Sequence, residues 1–174
     1  MDLQYPIGRF EFAGPFTDDA RQQWTALIAS APSELRQAVA GLDDIQLDTP
    51  YRPDGWSVRQ VVHHLPDAHM MSYTRFKFGL TEANPVIRPA QEALWANLAD
   101  TRTTPIETSL ALYEGLHGRW THLIDSMTLA DFDRTVEYPL RGPVPLWRIL
   151  GIYAWHGRHH VAHITELKKR MGWE

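Results

Sequence analysis

The chain has 174 residues, 44% of them apolar and 22% charged, with a net charge of −4 and no cysteine. These values fit one globular domain over 1–174 with enough chain to bury a core, and the lack of cysteine excludes both a disulfide framework and a thiolate metal site. The acidic balance argues against a nucleic-acid partner, no run reaches the roughly 20 apolar residues of a membrane span, and MDLQYPIGRFEF lacks a basic-then-apolar export pattern, so a cytoplasmic protein is expected.

The first 16 residues, with aromatics, glycines and prolines, are expected to form an extended arm laid over the rest. A first helix starts at Thr17, with Asp18 and Asp19 in its opening turn. Pro32 should break or restart it and Gly41 should end it. Gly55-Trp56-Ser57 then forms a turn and helix cap, because Ser57 and Gln60 make a capping box. That second helix runs to about Leu80, with a kink expected at Pro66.

From Asn84 to Thr103 the chain predicts a mostly irregular connection. Thr104, Pro105 and Glu107 predict the start of a third helix, which reaches about Met127, Thr104 being its N-cap. Asp131 to Pro143 is a second connector, with a short strand or turn at Arg134–Tyr138. The fourth helix begins near Val144 or Pro145 and reaches Arg170, before Gly172 stops it. Its Lys168-Lys169-Arg170 run is expected to be a solvated cap that complements the helix dipole. Four helices with long crossovers predict an all-α four-helix bundle.

Nine histidines stand in this sequence, and seven of them cluster at His63, His64 and His69 and at His156, His159, His160 and His163. A helix turns about 100° per residue, which places each ring relative to its helix's apolar stripe. On the fourth helix the stripe is Leu146, Ile149, Ile152, Tyr153, Ile164, Leu167 and Met171. His160 falls near its centre and His156 beside it, whereas His163 and His159 lie toward the edge. On the second helix, Val58, Val61, Leu65, Ala68 and Phe76 put His64 on the inward flank and His63 almost opposite.

An i, i+4 histidine pair can chelate one ion, and a third imidazole from a second helix leaves coordination positions open. The pattern therefore predicts one divalent metal on His64, His156 and His160. A lone inward histidine is more often a hydrogen-bonded core residue, but two adjacent imidazoles without a shared partner are costly to bury. His63, His69, His159 and His163 are left with supporting or structural roles, and His117 and His122 with packing or surface roles. Asp67, one turn beyond His64, is the candidate to orient a ligand or accept a proton from bound water.

Four stretches resemble the YfiT branch of the DinB-like superfamily: Tyr5-Pro-Ile-Gly-Arg, Arg52-Pro-Asp-Gly-Trp-Ser-Val-Arg-Gln-Val-Val-His-His, Phe76-Lys-Phe-Gly-Leu-Thr-Glu and Tyr153-Ala-Trp-His-Gly-Arg-His-His-Val-Ala-His-Ile. They cover nearly the whole chain in the family's order. The resemblance implies a DinB-like four-helix bundle, a homodimer, and a metal held by residues that match His64, His156 and His160. Pro66 stands where the family pattern has a small residue, and Tyr138-Pro139 where it has His-Pro.

The resemblance further implies a metal-dependent hydrolase, or an S-transferase that activates a low-molecular-weight thiol of the bacillithiol type. Zinc or nickel is the expected ion and a small molecule the expected substrate. The competing reading is a non-catalytic metal- or ligand-binding bundle.

Overall fold

The structure, a computed structural model, describes residues 2–173. Four long helices carry it: α1 (Asp18–Val39), α3 (Val58–Thr81), α6 (Ile106–Asp125) and α7 (Leu146–Met171). Short helices α2 (Asp44–Leu47), α4 (Glu92–Trp95) and α5 (Ala99–Thr103) fill the connections. A 3-10 turn at Leu129–Asp133 precedes an antiparallel hairpin, β1 (Thr135–Tyr138) and β2 (Gly142–Pro145), in which Val136 faces Val144. Helices α1 and α3 each pack against both α6 and α7, which closes the bundle. Among the described residues no helix is long and apolar enough to cross a membrane.

The predicted caps are in place at three ends. Thr17 accepts from the Ala20 amide, Ser57 and Gln60 close a reciprocal capping box, and Gly172 ends α7 in the left-handed region at φ 67°. The start of α6 differs from expectation. Pro105 is its N-cap, with no side-chain cap bond, while Thr104 ends α5 and Glu107 reaches out to Arg36 through two 2.9 Å contacts. The 84–103 connection also holds more helix than its composition suggested, in α4 and α5.

Pro32 does not break α1, which runs through it unbroken from Asp18 to Val39. Proline removes only one i→i−4 bond, so a helix survives where packing on both sides holds it and the freed carbonyl finds another donor. Here that carbonyl belongs to Ile28, and its donor is the His117 ring. Pro66 likewise lies inside a continuous α3.

The basic run at the end of α7 does more than face water. Lys168 donates to the Ala38 carbonyl at 3.3 Å and Arg170 to the Tyr51 carbonyl, while Lys169 pairs with Glu166 at 2.6 Å. Two of the three side chains thus tie α7 to distant backbone.

Apolar packing falls into two clusters stacked along the bundle. One gathers Trp24, Ile28, Phe76, Trp120, Ile124, Phe132 and Leu146, and the N-terminal arm's Phe10, Phe12 and Phe16 pack on it. The other gathers Leu35, Val61, Leu65, Leu110, Tyr113, Ile164 and Leu167. The chain passes from one cluster to the other near Leu65 and Ala68 on α3, Tyr113 and Trp120 on α6, and Ala154 and Ile164 on α7. Buried His64, His69, His117 and His160 occupy these crossing points, with His156 partly buried among them.

Gly151 sets how closely the arm and α1 approach α7. A Cβ there would lie 2.8 Å from Phe10 Cζ and 2.9 Å from Trp24 Cη2. Alanine is the better helix former by about 1 kcal/mol, yet overpacking between fixed rings costs about 1–3 kcal/mol. Gly151→Ala should therefore lower the urea midpoint. Gly115→Ala, on the open face of α6 where a Cβ meets nothing within 4 Å, should raise it.

Candidate metal centre

Helix α7 carries His156 and His160 one turn apart, and α3 brings His64 across to them. The His156 Nε2 atom lies 3.3 Å from His64 Nε2 and 3.2 Å from His160 Nε2. The ring centroids stand 4.5 Å apart for His156 and His160, 4.8 Å for His64 and His160, and 5.3 Å for His64 and His156. Two nitrogens bound tetrahedrally at 2.0–2.1 Å from one ion are about 3.3–3.4 Å apart, so the donor set fits a small divalent cation.

Burial drives the electrostatics. It pushes the His64 imidazole down to about 4, with the neighbouring His159 ring adding to the effect. His156 and His160 are held well below the ordinary histidine range, first by burial and then by the surrounding imidazoles. All three rings are neutral near pH 7, with lone pairs available to a cation.

A second set of donors adjoins the first. His159, His160 and His163 each offer a nitrogen within 4.8 Å of the others, and their Nδ1 atoms are buried without partners. His163 donates through Nε2 to the Gln4 carbonyl at 3.2 Å and stacks on Tyr51 at 3.9 Å. His160 belongs to both sets, but the convergence to 3.2–3.3 Å is on His156.

His64, His159, His160 and His163 form one wall of a cleft of about 300 Å³ lined also by Tyr5, Tyr51, Arg52, Trp56 and Glu92. The turn before α3 builds much of it. Tyr51 and Trp56 join through a 3.0 Å backbone bond, and Gly55 admits no side chain because a Cβ would meet Arg52 Cγ at 2.7 Å. Trp56 is thereby set against His64 at 4.7 Å between ring centroids. The Arg52 Nε atom is buried with no partner, a cationic donor in the cleft wall.

Asp67 is half-buried and lines a small pocket of about 10 Å³ together with His64 and Glu92. Among the described residues no hydrogen bond joins it to a ligand imidazole. Its carboxyl is raised by burial and then by Asp100. Glu92, at the start of α4, borders both this pocket and the larger cleft. Although Glu92 is exposed at the rim, partial desolvation there raises its carboxyl, with Arg75 acting in the opposite direction. Sequence reading passed over Glu92, because α4 was expected to be irregular chain.

The other histidines divide sharply. His63 points away, to Ser109 Oγ at 2.7 Å and the Thr104 carbonyl at 3.1 Å, and His122 is exposed. His69 and His117 turn inward: His69 Nε2 is 3.2 Å from His156 Nδ1, and His117 Nε2 is 2.9 Å from His69 Nδ1. His117 is therefore no surface or simple packing residue.

The sequence pattern of the DinB superfamily matches residues 27–164. The chain belongs to the DinB superfamily. Proteins of Bacillus cereus strain 03BB102 and Bacillus thuringiensis subsp. konkukian, both named "Putative metal-dependent hydrolase", are 50% identical to it over 172 residues, covering 99% of each chain. The solved structure of YfiT from Bacillus subtilis, described as a probable metal-dependent hydrolase with an unusual four-helix bundle topology, is 47% identical. It covers 100% of both chains with a TM-score of 0.97. The four-helix DinB-like bundle expected from sequence is the observed fold.

The depressed histidines make the metal-free protein acid-sensitive. His64, His117, His159 and His163 titrate at about 4 in the fold and near 6.5 when unfolded. Between those values the unfolded chain binds more protons, so stability is intact above about pH 6.5 and is lost as pH falls toward 4. The urea midpoint of metal-free protein should drop from pH 7.5 to pH 5.0.

Proposed function

We propose that this chain is a divalent-metal-dependent enzyme that uses His64, His156 and His160 to hold one zinc or nickel ion and acts on a small molecule by hydrolysis. The observation that carries this reading is the meeting of three neutral imidazole Nε2 atoms beside an open cleft whose wall includes His64 and His160. Structural sites close all four positions with protein ligands, whereas three ligands leave room for a reactant. A divalent cation supplies Lewis-acid chemistry there, lowering the pKa of a water or thiol that it binds.

The protein's own residues set the rest. Tyr5, Tyr51 and Trp56 offer aromatic faces to an organic substrate, and Arg52 offers charge to an anionic one. Asp67 and Glu92 flank His64 around space for about one water. Both carboxyls are raised by desolvation, which moves them toward the range where a side chain can exchange a proton at neutral pH.

Thiol transfer is the second reading, and Arg52 favours it. The chain has no thiol of its own, so a carboxylate-bearing low-molecular-weight thiol would have to enter the cleft, whose wall includes the cationic Arg52. Family resemblance supports a cytoplasmic homodimer as the working form.

Demetallated protein should show no turnover with esters, amides or thiol-plus-electrophile pairs, and zinc or nickel should restore it. Comparing water with added thiol as acceptor separates hydrolysis from transfer. Glu92→Gln should lower turnover about 100-fold, as expected for a proton acceptor. Asp67→Asn should lower it about tenfold, as for an orienting group. Both variants should keep their metal. Activity in fully demetallated protein would contradict the metal mechanism.

A further inference from the structure

A chain of three imidazoles runs from the metal centre to the backbone of α1. His156 Nδ1 meets His69 Nε2 at 3.2 Å, His69 Nδ1 meets His117 Nε2 at 2.9 Å, and His117 Nδ1 meets the Ile28 carbonyl at 2.5 Å. His69 and His117 are completely or almost completely buried, so no solvent substitutes for these contacts. The chain joins α7, α3, α6 and α1 in turn.

Its last link follows from the sequence of α1. Within a helix the Ile28 carbonyl would accept from the amide four residues on, but that residue is Pro32, which has none. A buried carbonyl must find a donor elsewhere, and His117 supplies it.

A carbonyl can only accept, and this fixes the hydrogens. His117 must carry its hydrogen on Nδ1, which leaves its Nε2 an acceptor. His69 must then donate from Nδ1 and accept at Nε2, and His156 must donate from Nδ1. Three neutral rings carry three ring hydrogens and the chain has three junctions, so each junction takes one. Every hydrogen is used, and His156 Nε2 is left bare, pointing at His64 and His160.

We propose that His69 and His117, anchored on the Ile28 carbonyl that Pro32 leaves free, are positioning residues that lock His156 in the Nδ1–H tautomer and present its Nε2 lone pair to the metal. The role deepens the metal-centre reading and rests on it. An imidazole free to choose tautomers must give up the wrong one and fix its ring before it binds, and a partner on the far nitrogen removes that cost. Here the partner is a second histidine instead of a carboxylate, so no negative charge is brought into the core.

The test begins with metal-free wild-type protein at pH 7.5, labelled with 15N. Long-range proton–nitrogen correlation should show His156, His69 and His117 all as Nδ1–H tautomers. Zinc affinity is then measured by chelator competition, with circular dichroism to verify the fold. His69→Leu removes the acceptor and should weaken zinc binding about 10–100-fold. His69→Gln, whose amide oxygen reaches the place of Nε2, should recover most of it. Pro32→Ala returns an amide to the Ile28 carbonyl, which must then divide its lone pairs between that amide and His117, so zinc binding should weaken several-fold although the helix loses a proline. A merely structural role for Pro32 would not move zinc affinity in that direction.

A His156 ring found mainly as Nε2–H in the wild type would overturn the proposal, as would wild-type zinc affinity in a folded His69→Leu. Unchanged zinc affinity in a folded Pro32→Ala would remove the anchor and overturn it too. If the wild type takes up no zinc, the metal reading fails by itself, and the tautomers of the metal-free protein still decide whether the chain exists. If His69→Leu does not fold, the wild-type spectrum and Pro32→Ala decide.

Discussion

Burying imidazoles in the middle of a helical bundle is the constraint to which the rest of the structure answers. Each ring brings two nitrogens out of water, and a buried polar atom without a partner costs a few kcal/mol. The bundle meets this by concentrating the rings in one layer between two apolar clusters, where they can face one another. His63, His69 and His117 spend their nitrogens on protein partners. His64, His156 and His160 turn Nε2 inward on a common point, where lone pairs that cannot all be satisfied by one another suit a cation.

The surrounding fold serves that layer. Caps at Thr17, Ser57 and Gly172 fix where the helices begin and end, and hence the height at which each ring enters. The basic end of α7 reaches back to the Tyr51 carbonyl through Arg170, which holds the turn that carries Arg52 and Trp56 over the site. The connection between α3 and α6 brings α4 and its Glu92 to the rim of the cleft. Rigid helices thus supply the donors, and loops tied down by side chains supply the walls of the cleft.

Much of this was legible in the sequence because its causes are local. Capping boxes, the period of the apolar stripe and the i, i+4 pair on α7 are all short-range, and together they single out His64, His156 and His160 from the pattern alone. What escaped was set by contacts between helices. His117 lies on the same stripe as Leu110, Tyr113, Trp120 and Ile124, so the rotation argument applied to α6 would have turned it inward. Its partner would still have been invisible, because His69 lies 48 residues away in sequence. Pro32 was expected to break a helix that tertiary packing preserves, and its real consequence, a free Ile28 carbonyl, appears only when α6 is alongside. Glu92 reaches the cleft through a four-residue helix too short to leave a periodic signal.

The central claim is that three imidazoles share one ion. X-ray absorption at the zinc edge of the reconstituted protein tests it most directly, because scattering from imidazole rings identifies both the kind and the number of ligands. The account predicts one zinc per chain with three imidazole nitrogens at about 2.0–2.1 Å and a lighter donor completing the shell. A shell made only of oxygen donors, or fewer than three imidazoles around the ion, would contradict it.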